Sequence, residues 1–422
     1  MTGDHTDEIS PEVKLAPGGE TKRLISIGVC VILNMLDGFD VLAMSFTASG
    51  ISTDLHFSGG QLGLLFSAGL VGMVLGSLFV APLADRVGRR TVVLSCIPIA
   101  SAAMGLSAFS DQVISLAACR LFTGMAVGGI LACANVLVSE YSTARWRTPA
   151  TAVFTFGYSL GATLGGAAAV PLIGQYGWRA VFVLGAVATM TLLPIAYWGL
   201  RESDPFRVEG AARLATARFS PFNTVNRLLD RAHARRTIFL WCAFFFAMTA
   251  HYFVFSWTPR LLTRSGFTAA QGISGGVILN VGAMLGTVLF GLAGAANRAR
   301  KLAFGSLLAA TVLMGLVSLA IGHLALVFWA IAALGTASTC ALACFYVLTP
   351  SLYETDLRSS GMGWGLGIGR IGAIVSPLGA GLLVDRGWGS GYLYCLFAGA
   401  FIAAALSVMR IPIAGAGRLR AD

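Results

Sequence analysis

Twelve runs of apolar residues, each long enough to cross a bilayer, dominate this chain and leave little else for it to fold into. They fall at about 24–49, 60–83, 91–110, 113–138, 148–171 and 179–199, and after a polar gap at about 237–258, 271–294, 302–322, 325–349, 360–384 and 390–410. Runs of this length are far too long for strands. Lipid-exposed backbone must satisfy its own hydrogen bonds, so each run is expected to be a helix. Of 422 residues, 56% are hydrophobic and 11% charged, against about 25% charged in soluble domains. That balance excludes a disordered chain, a secreted disulfide scaffold and a cytosolic enzyme. The eight cysteines sit inside apolar runs without a CxxC pair or a neighbouring ligand cluster, so they read as packing residues, and no metal is expected.

The first 23 residues are polar, carry five carboxylates and have no apolar core, so they do not read as a cleavable signal peptide. With twelve spans both termini share one side. Of the 29 lysines and arginines, 23 lie on that side, including the eight arginines from Arg201 to Arg236. Arg179, Arg260, Arg264 and Arg386 lie near the opposite face, and Arg120 and Arg370 fall inside or close to spans. The positive-inside rule then predicts cytoplasmic termini, and an inner (plasma) membrane location if the source is bacterial. The net charge of +10 is a topology signal; no structured basic domain supports nucleic-acid binding.

The halves echo one another at a spacing of about 210 residues. Tyr176, Gly177 and Trp178 after span 5 match Arg386, Gly387 and Trp388 after span 11, and Glu140 with Arg145 matches Glu354 with Arg358. Two six-helix bundles around a central cavity are expected. The divisions are a tail at about 1–23, a bundle at about 24–200, a central cytoplasmic loop at about 201–236, a second bundle at about 237–411 and a tail at about 412–422.

Between spans 2 and 3 the chain reads LADRVGRR, Leu83 to Arg90. Gly88 suits the tight turn, Asp85 can cap a helix N-terminus, and Arg86, Arg89 and Arg90 can meet helix C-termini and lipid phosphates. This segment resembles the loop motif of the major facilitator superfamily, with Ala81 in place of that motif's first glycine. The second half keeps a worn copy, GLAGAANRARK from Gly291, without an aspartate, so a conformational lock at Asp85 is expected to be one-sided. Glu140 with Arg145 and Glu354 with Arg358 read as salt bridges at helix ends, belonging to a gate rather than to a binding site.

Span 1 contains NMLDGFDVL, with Asp37 and Asp40 three residues apart on one helix face. A charge at a helix centre costs about 2.5 to 3.5 kcal/mol on insertion scales. The pair is either a set of static structural acids or a proton path, and the second is favoured because intramembrane acids mostly line ion routes. DGFD, together with the loop motif and the GRIGA segment around Arg370 in span 11, resembles the aromatic acid:proton symporter family.

That resemblance implies a transporter, not an enzyme, importing a small aromatic carboxylate with protons as coupling ions and no cofactor, in the bilayer and as a monomer. Arg370, mid-span among small residues, needs an anion. Arg120 in span 4 is a candidate for a substrate carboxylate, or a counter-ion for Asp37 or Asp40, or a snorkelling residue at a span end. His251 in span 7 is either a substrate or proton ligand or a buried neutral histidine. Tyr346 and Trp257, with Tyr252 and Tyr158, are candidate ring-stacking walls, although for each aromatic alone lipid contact or helix packing is the better reading. Rival readings are a drug:proton antiporter, disfavoured by the lack of a Gly-Pro element in span 5, and a sugar or quinate carrier, disfavoured by the paired arginines. More remote is an intramembrane serine hydrolase at Ser159, because GYSLG, Gly157 to Gly161, matches GxSxG.

Overall fold

The computed structural model describes residues 19–142, 146–202, 227–230, 233–292, 298–354 and 357–412. Among them are twelve helices long and apolar enough to cross a membrane. The first six are α1 (Arg23–Asp54), α2 (Gly59–Leu83), α3 (Arg89–Ser107), α4 (Val113–Tyr141), α5 (Pro149–Tyr176) and α6 (Arg179–Gly199). The second six are α7 (Ala234–Arg264), α8 (Ala269–Leu292), α9 (Ala299–Ala320), α10 (Leu324–Ser351), α11 (Ser360–Asp385) and α12 (Ser390–Arg410). The described residues contain no strand. Helices α1 and α7 run on to Asp54 and Arg264, beyond their apolar runs, because charged residues at a helix end sit at the interface and not in hydrocarbon. Helix α2 ends as a π turn, Gly76–Val80, and a 3-10 turn, Ala81–Leu83, where Pro82 brings no N–H to the ladder. Residues 1–18, 203–226 and 413–422, most of the expected tails and central loop, lie outside the described residues.

Each half repeats one packing plan. In the first, α1 packs on α5, α2 on α4, and α3 on α4 and α6; in the second, α7 packs on α11, α8 on α10, and α9 on α10 and α12. Bare glycine backbone lets helices approach where no hydrophobic force separates lipid from protein. A Cβ on Gly161 would run into the Met35 carbonyl, one on Gly72 into the Leu121 carbonyl, and one on Gly335 into the Leu279 carbonyl. Gly157, Gly161 and Gly165 all face α1, so GYSLG is a helix-packing ladder. A hydrolase elbow needs a strand, a sharp turn and a helix, and Ser159 sits in unbroken helix.

The halves meet through α2 against α11, α5 against α8 and α1 against α7. The hydrogen bonds that join them gather toward the face away from the termini. Ser45 Oγ donates to the Ser256 carbonyl at 2.7 Å, Ser67 Oγ to the Ile374 carbonyl at 2.6 Å, and Arg260 Nη2 to Ser52 Oγ at 2.8 Å. At the rim, the Asp385 carboxylate accepts from the Gly59 and Gly60 amides at 2.6 and 2.7 Å. These are N-terminal amides of α2, where an anion is favoured by the unpaired N–H groups and the helix dipole. Ser58 and Gln61 complete that end as a capping box.

Candidate functional site

The two acids of α1 have different surroundings. Asp40 pairs with Arg120 Nη1 at 2.9 Å. Arg120 is buried, and its Nη2 also reaches Ser107 Oγ at 3.4 Å and Thr123 Oγ1 at 3.3 Å while the guanidinium lies 5.0 Å over the Phe182 ring. Four helices of the first half thus build a cage for this arginine. The counter-ion alternative describes Arg120, whose charge is met inside the bundle by Asp40, while its Nε is buried without a partner and the residue also lines the cavity between the halves. Asp37 is 3% exposed and makes no ion pair among the described residues, and its Oδ1 has no hydrogen-bond partner. A buried polar oxygen without a donor is costly, and a buried unpaired charge more so.

Two cavities flank this pair. One lies between the halves, lined by Asp40 and Arg120, by Phe66 and Gly69 of α2, and by Tyr252 and Ser256 of α7. The other is inside the first half, where Asp37 and Asp40 share a space with Met104, Thr123 and Thr189. Asp40 borders both.

Arg370 enters from the second half. Gly369 and Gly372 bring α11 against Met248 and the Phe245 carbonyl of α7, which sets Arg370 beside the Met248–Tyr252 turn. It is half-buried, and no carboxylate lies within ion-pair distance of it among the described residues. From the same half, Tyr252 lines the cavity between the halves and Tyr346 of α10 keeps about half of its surface exposed. Tyr158 interacts with Tyr252, Asp37 and Asp40. The centre therefore gathers an unpaired arginine, an unpaired acid and three phenols from α1, α5, α7, α10 and α11. An anion with an aromatic ring finds there a cation, ring faces and hydroxyl groups.

Two expected ligands stand differently. Trp257 is fully enclosed: its Nε1 donates to the Pro377 carbonyl at 3.1 Å and its ring meets Phe66 edge-on at 5.5 Å. It ties α7 to α11 and α2, offers no free face, and is a packing residue, not a stacking wall. His251 stacks on Phe255 at 4.3 Å, and its Nδ1 is buried without a partner. Tyr346 is 48% exposed and stays a candidate wall.

At the helix ends the described residues form pairs that the spacing does not suggest. Glu140 binds Arg89 Nη2 at 3.3 Å. Its expected partner Arg145 lies outside the described residues, as does the side chain of Asp85. Arg86 is exposed at the same turn. Glu354 makes no ion pair among the described residues, because Arg358 turns its Nε to the Tyr353 carbonyl at 3.2 Å. The loop's arginines are held instead by the segment after α6. The Glu202 carboxylate accepts from the Arg89 and Arg90 amides at 2.9 and 3.2 Å, and Arg90 donates to the Leu200 and Tyr197 carbonyls at 2.9 and 2.7 Å. Gly88 has φ +96° and a Cβ there would strike Glu202, so glycine is required twice over.

Sequence reasoning missed Glu202 and Asp385. It also missed the bridge of Arg179 to Asp54 and Asp111, both at 2.6 Å, which clasps the far ends of α1, α3 and α6. The S-x-x-Q box at Ser58 was a legible sign of a helix start. Nothing local pointed to Asp385 as its cap.

The model of the Major Facilitator Superfamily matches residues 29–377 of the chain. The gallate transporter of Pseudomonas putida is 30% identical, with 93% of this chain and 92% of that protein covered. The 3-(3-hydroxy-phenyl)propionate transporter of Escherichia coli (strain K12) is 30% identical over 93% of this chain and 95% of its own. Further relatives bear the names of 4-hydroxybenzoate, gentisate and benzoate transporters. Among solved structures, a bacterial homolog of the human lysosomal transporter Spinster, inward-facing and unoccupied, superposes with a TM-score of 0.70 at 19% identity over 92% of this chain and 95% of that one. The chain belongs to the major facilitator superfamily. It is an integral membrane protein of the transporter class, with relatives that are aromatic acid transporters, and not an enzyme.

Proposed function

We propose that this protein imports an aromatic carboxylate together with a proton by alternating access, acting as a monomer in the bacterial inner membrane with both termini in the cytoplasm. The observation that supports the reading is that each half holds an ionisable group within its spans with no ion pair among the described residues: the buried Asp37 of the first half, with an unpartnered Oδ1, and the half-buried Arg370 of the second. A substrate carboxylate pairs with the Arg370 guanidinium, whose fork matches it in shape and charge. The ring lies against Tyr346 and Tyr252. A proton on Asp37 removes the charge that the first half cannot match, so the loaded centre is electrically settled when the halves close around it. Bonds between the halves at Ser45, Ser67 and Asp385, gathered toward the face away from the termini, support a carrier that closes on that face while its cleft faces the cytoplasm. Release there, followed by proton loss from Asp37, returns the carrier for the next cycle. The lysine and arginine distribution supports the orientation, and the gallate and hydroxyphenylpropionate relatives support the substrate class.

The test is uptake of labelled gallate, 4-hydroxybenzoate and benzoate into proteoliposomes, with and without an inward proton gradient. Gradient-dependent uptake is expected, abolished by Asp37→Asn and by Arg370→Ala while both variants remain folded. Uptake that ignores the gradient, or a preference for a neutral sugar, rejects the proposal.

A further inference from the structure

The nine tyrosines of this chain fall into three groups by what their hydroxyls touch. Tyr394 is bonded to Thr258 at 2.9 Å, Tyr353 to Thr237 at 3.0 Å, and Tyr141 to the Arg201 carbonyl. Tyr176, Tyr197 and Tyr392 are strongly exposed near helix ends, where the amphipathic ring belongs. Tyr158, Tyr252 and Tyr346 differ from both. They converge on the cleft from α5, α7 and α10, and none of their hydroxyls has a protein hydrogen-bond partner among the described residues.

Their placement is built into the backbone. Gly38, next to Asp37, admits the Tyr158 carbonyl against α1 and so sets that phenol at the level of the acid. Tyr252 lines the cleft one helical turn from Ser256 and opposite Asp40. Tyr346 presents nearly half its surface near Arg370. A phenol both donates and accepts a hydrogen bond, so it can pair with a ring hydroxyl in either direction, whereas an arginine only donates. None of the three hydroxyls is among the buried polar atoms left without a partner; once a ligand displaces water from the cleft, one that supplies hydroxyls at ring positions matches them, and an unsubstituted ring leaves them unpaired.

We propose that the hydroxyls of Tyr158, Tyr252 and Tyr346 are specificity elements that read ring hydroxyls of the carried acid, so that phenolic carboxylates are preferred over unsubstituted ones. The inference rests on the transport reading above and concerns discrimination within it. In wild-type proteoliposomes, uptake and mutual competition of labelled benzoate, 4-methoxybenzoate, 4-hydroxybenzoate and gallate are compared. The hydroxylated acids are expected to compete at concentrations about tenfold or more below benzoate, with 4-methoxybenzoate, which cannot donate, in between. Tyr252→Phe, Tyr346→Phe and Tyr158→Phe should each shrink the hydroxylated-to-benzoate ratio by about threefold or more. A loss of affinity equal for all four acids would mark a structural role and overturn the proposal. Wild-type protein that takes benzoate as readily as 4-hydroxybenzoate overturns it too, with no variant needed. Aromatic acids carried without discrimination leave the transport reading standing; no uptake of any aromatic carboxylate removes both.

Discussion

Arg120 and Arg370 are the two arginines that fall within the apolar spans, one in each half, and they live in opposite circumstances. Arg120 brings its own anion: Asp40 at 2.9 Å, with Ser107, Thr123 and the Phe182 face completing its surroundings. Arg370 has none of these among the described residues, and Asp37 of the other half is an acid that likewise makes no ion pair there. Internally matched charge holds a bundle together, whereas unmatched charge waits for something from outside. The first half thus carries a finished ion pair beside an unfinished acid, and the second an unfinished cation.

Stability separates the two arginines most sharply. Arg120→Leu leaves Asp40 buried and alone, and about 3 to 5 kcal/mol of stability should be lost, read as a large fall in the melting temperature of the detergent-solubilised protein. Arg370→Leu should leave that temperature within a few degrees of wild type while ending uptake; equal destabilisation by both substitutions would break the contrast. A pair swapped for neutral groups, Arg120→Gln with Asp40→Asn, should recover most of the stability lost by Arg120→Leu, because neither partner is then left charged.

Smaller effects sharpen the comparison at the helix ends. Asp385 is an acid of the second half satisfied by amides of the first, and Asp385→Asn should weaken that cap by about 1 kcal/mol. The far face should then open more often, so a cysteine placed at Ser67 should label with a membrane-impermeant maleimide several times faster; an unchanged rate would show that the cap does not hold the closure. Least of all, Glu202→Gln keeps the amide contacts but loses their charge assistance, costing about 0.5 to 1 kcal/mol in thermal unfolding.

The spans were readable because hydrocarbon imposes length and apolarity on every helix at once. The inner residues Asp37, Asp40, Arg120 and Arg370 were readable because charge inside such a run is conspicuous. What each of them binds was not, since Arg120 could serve a ligand or a neighbour until Asp40, 80 positions away, was seen at its guanidinium. Trp257 misled for a related reason: an aromatic beside His251 and Tyr252 in sequence points about 100° away on each successive residue of a helix, and it faced the seam between helices. Spacing also suggested Glu354 with Arg358, because neighbours in sequence are easy to pair on paper. Glu140 found its arginine across a helix interface, and Glu202 and Asp385 were satisfied by backbone amides that leave no mark in a sequence.

The anchoring of the chain on either side of the central connector carries one more consequence. Up to residue 202 it is tied down by Glu202 on the α3 amides, by Ser26 on the Gly199 carbonyl and by Tyr141 on the Arg201 carbonyl. From residue 227 it is tied again, with Thr237 donating to the Leu228 carbonyl at 2.8 Å. The halves themselves meet along α2 and α11, α5 and α8, and α1 and α7, with bonds at Ser45, Ser67 and Asp385, so two separately synthesised polypeptides, divided within that connector, should find each other in the membrane and rebuild a working carrier.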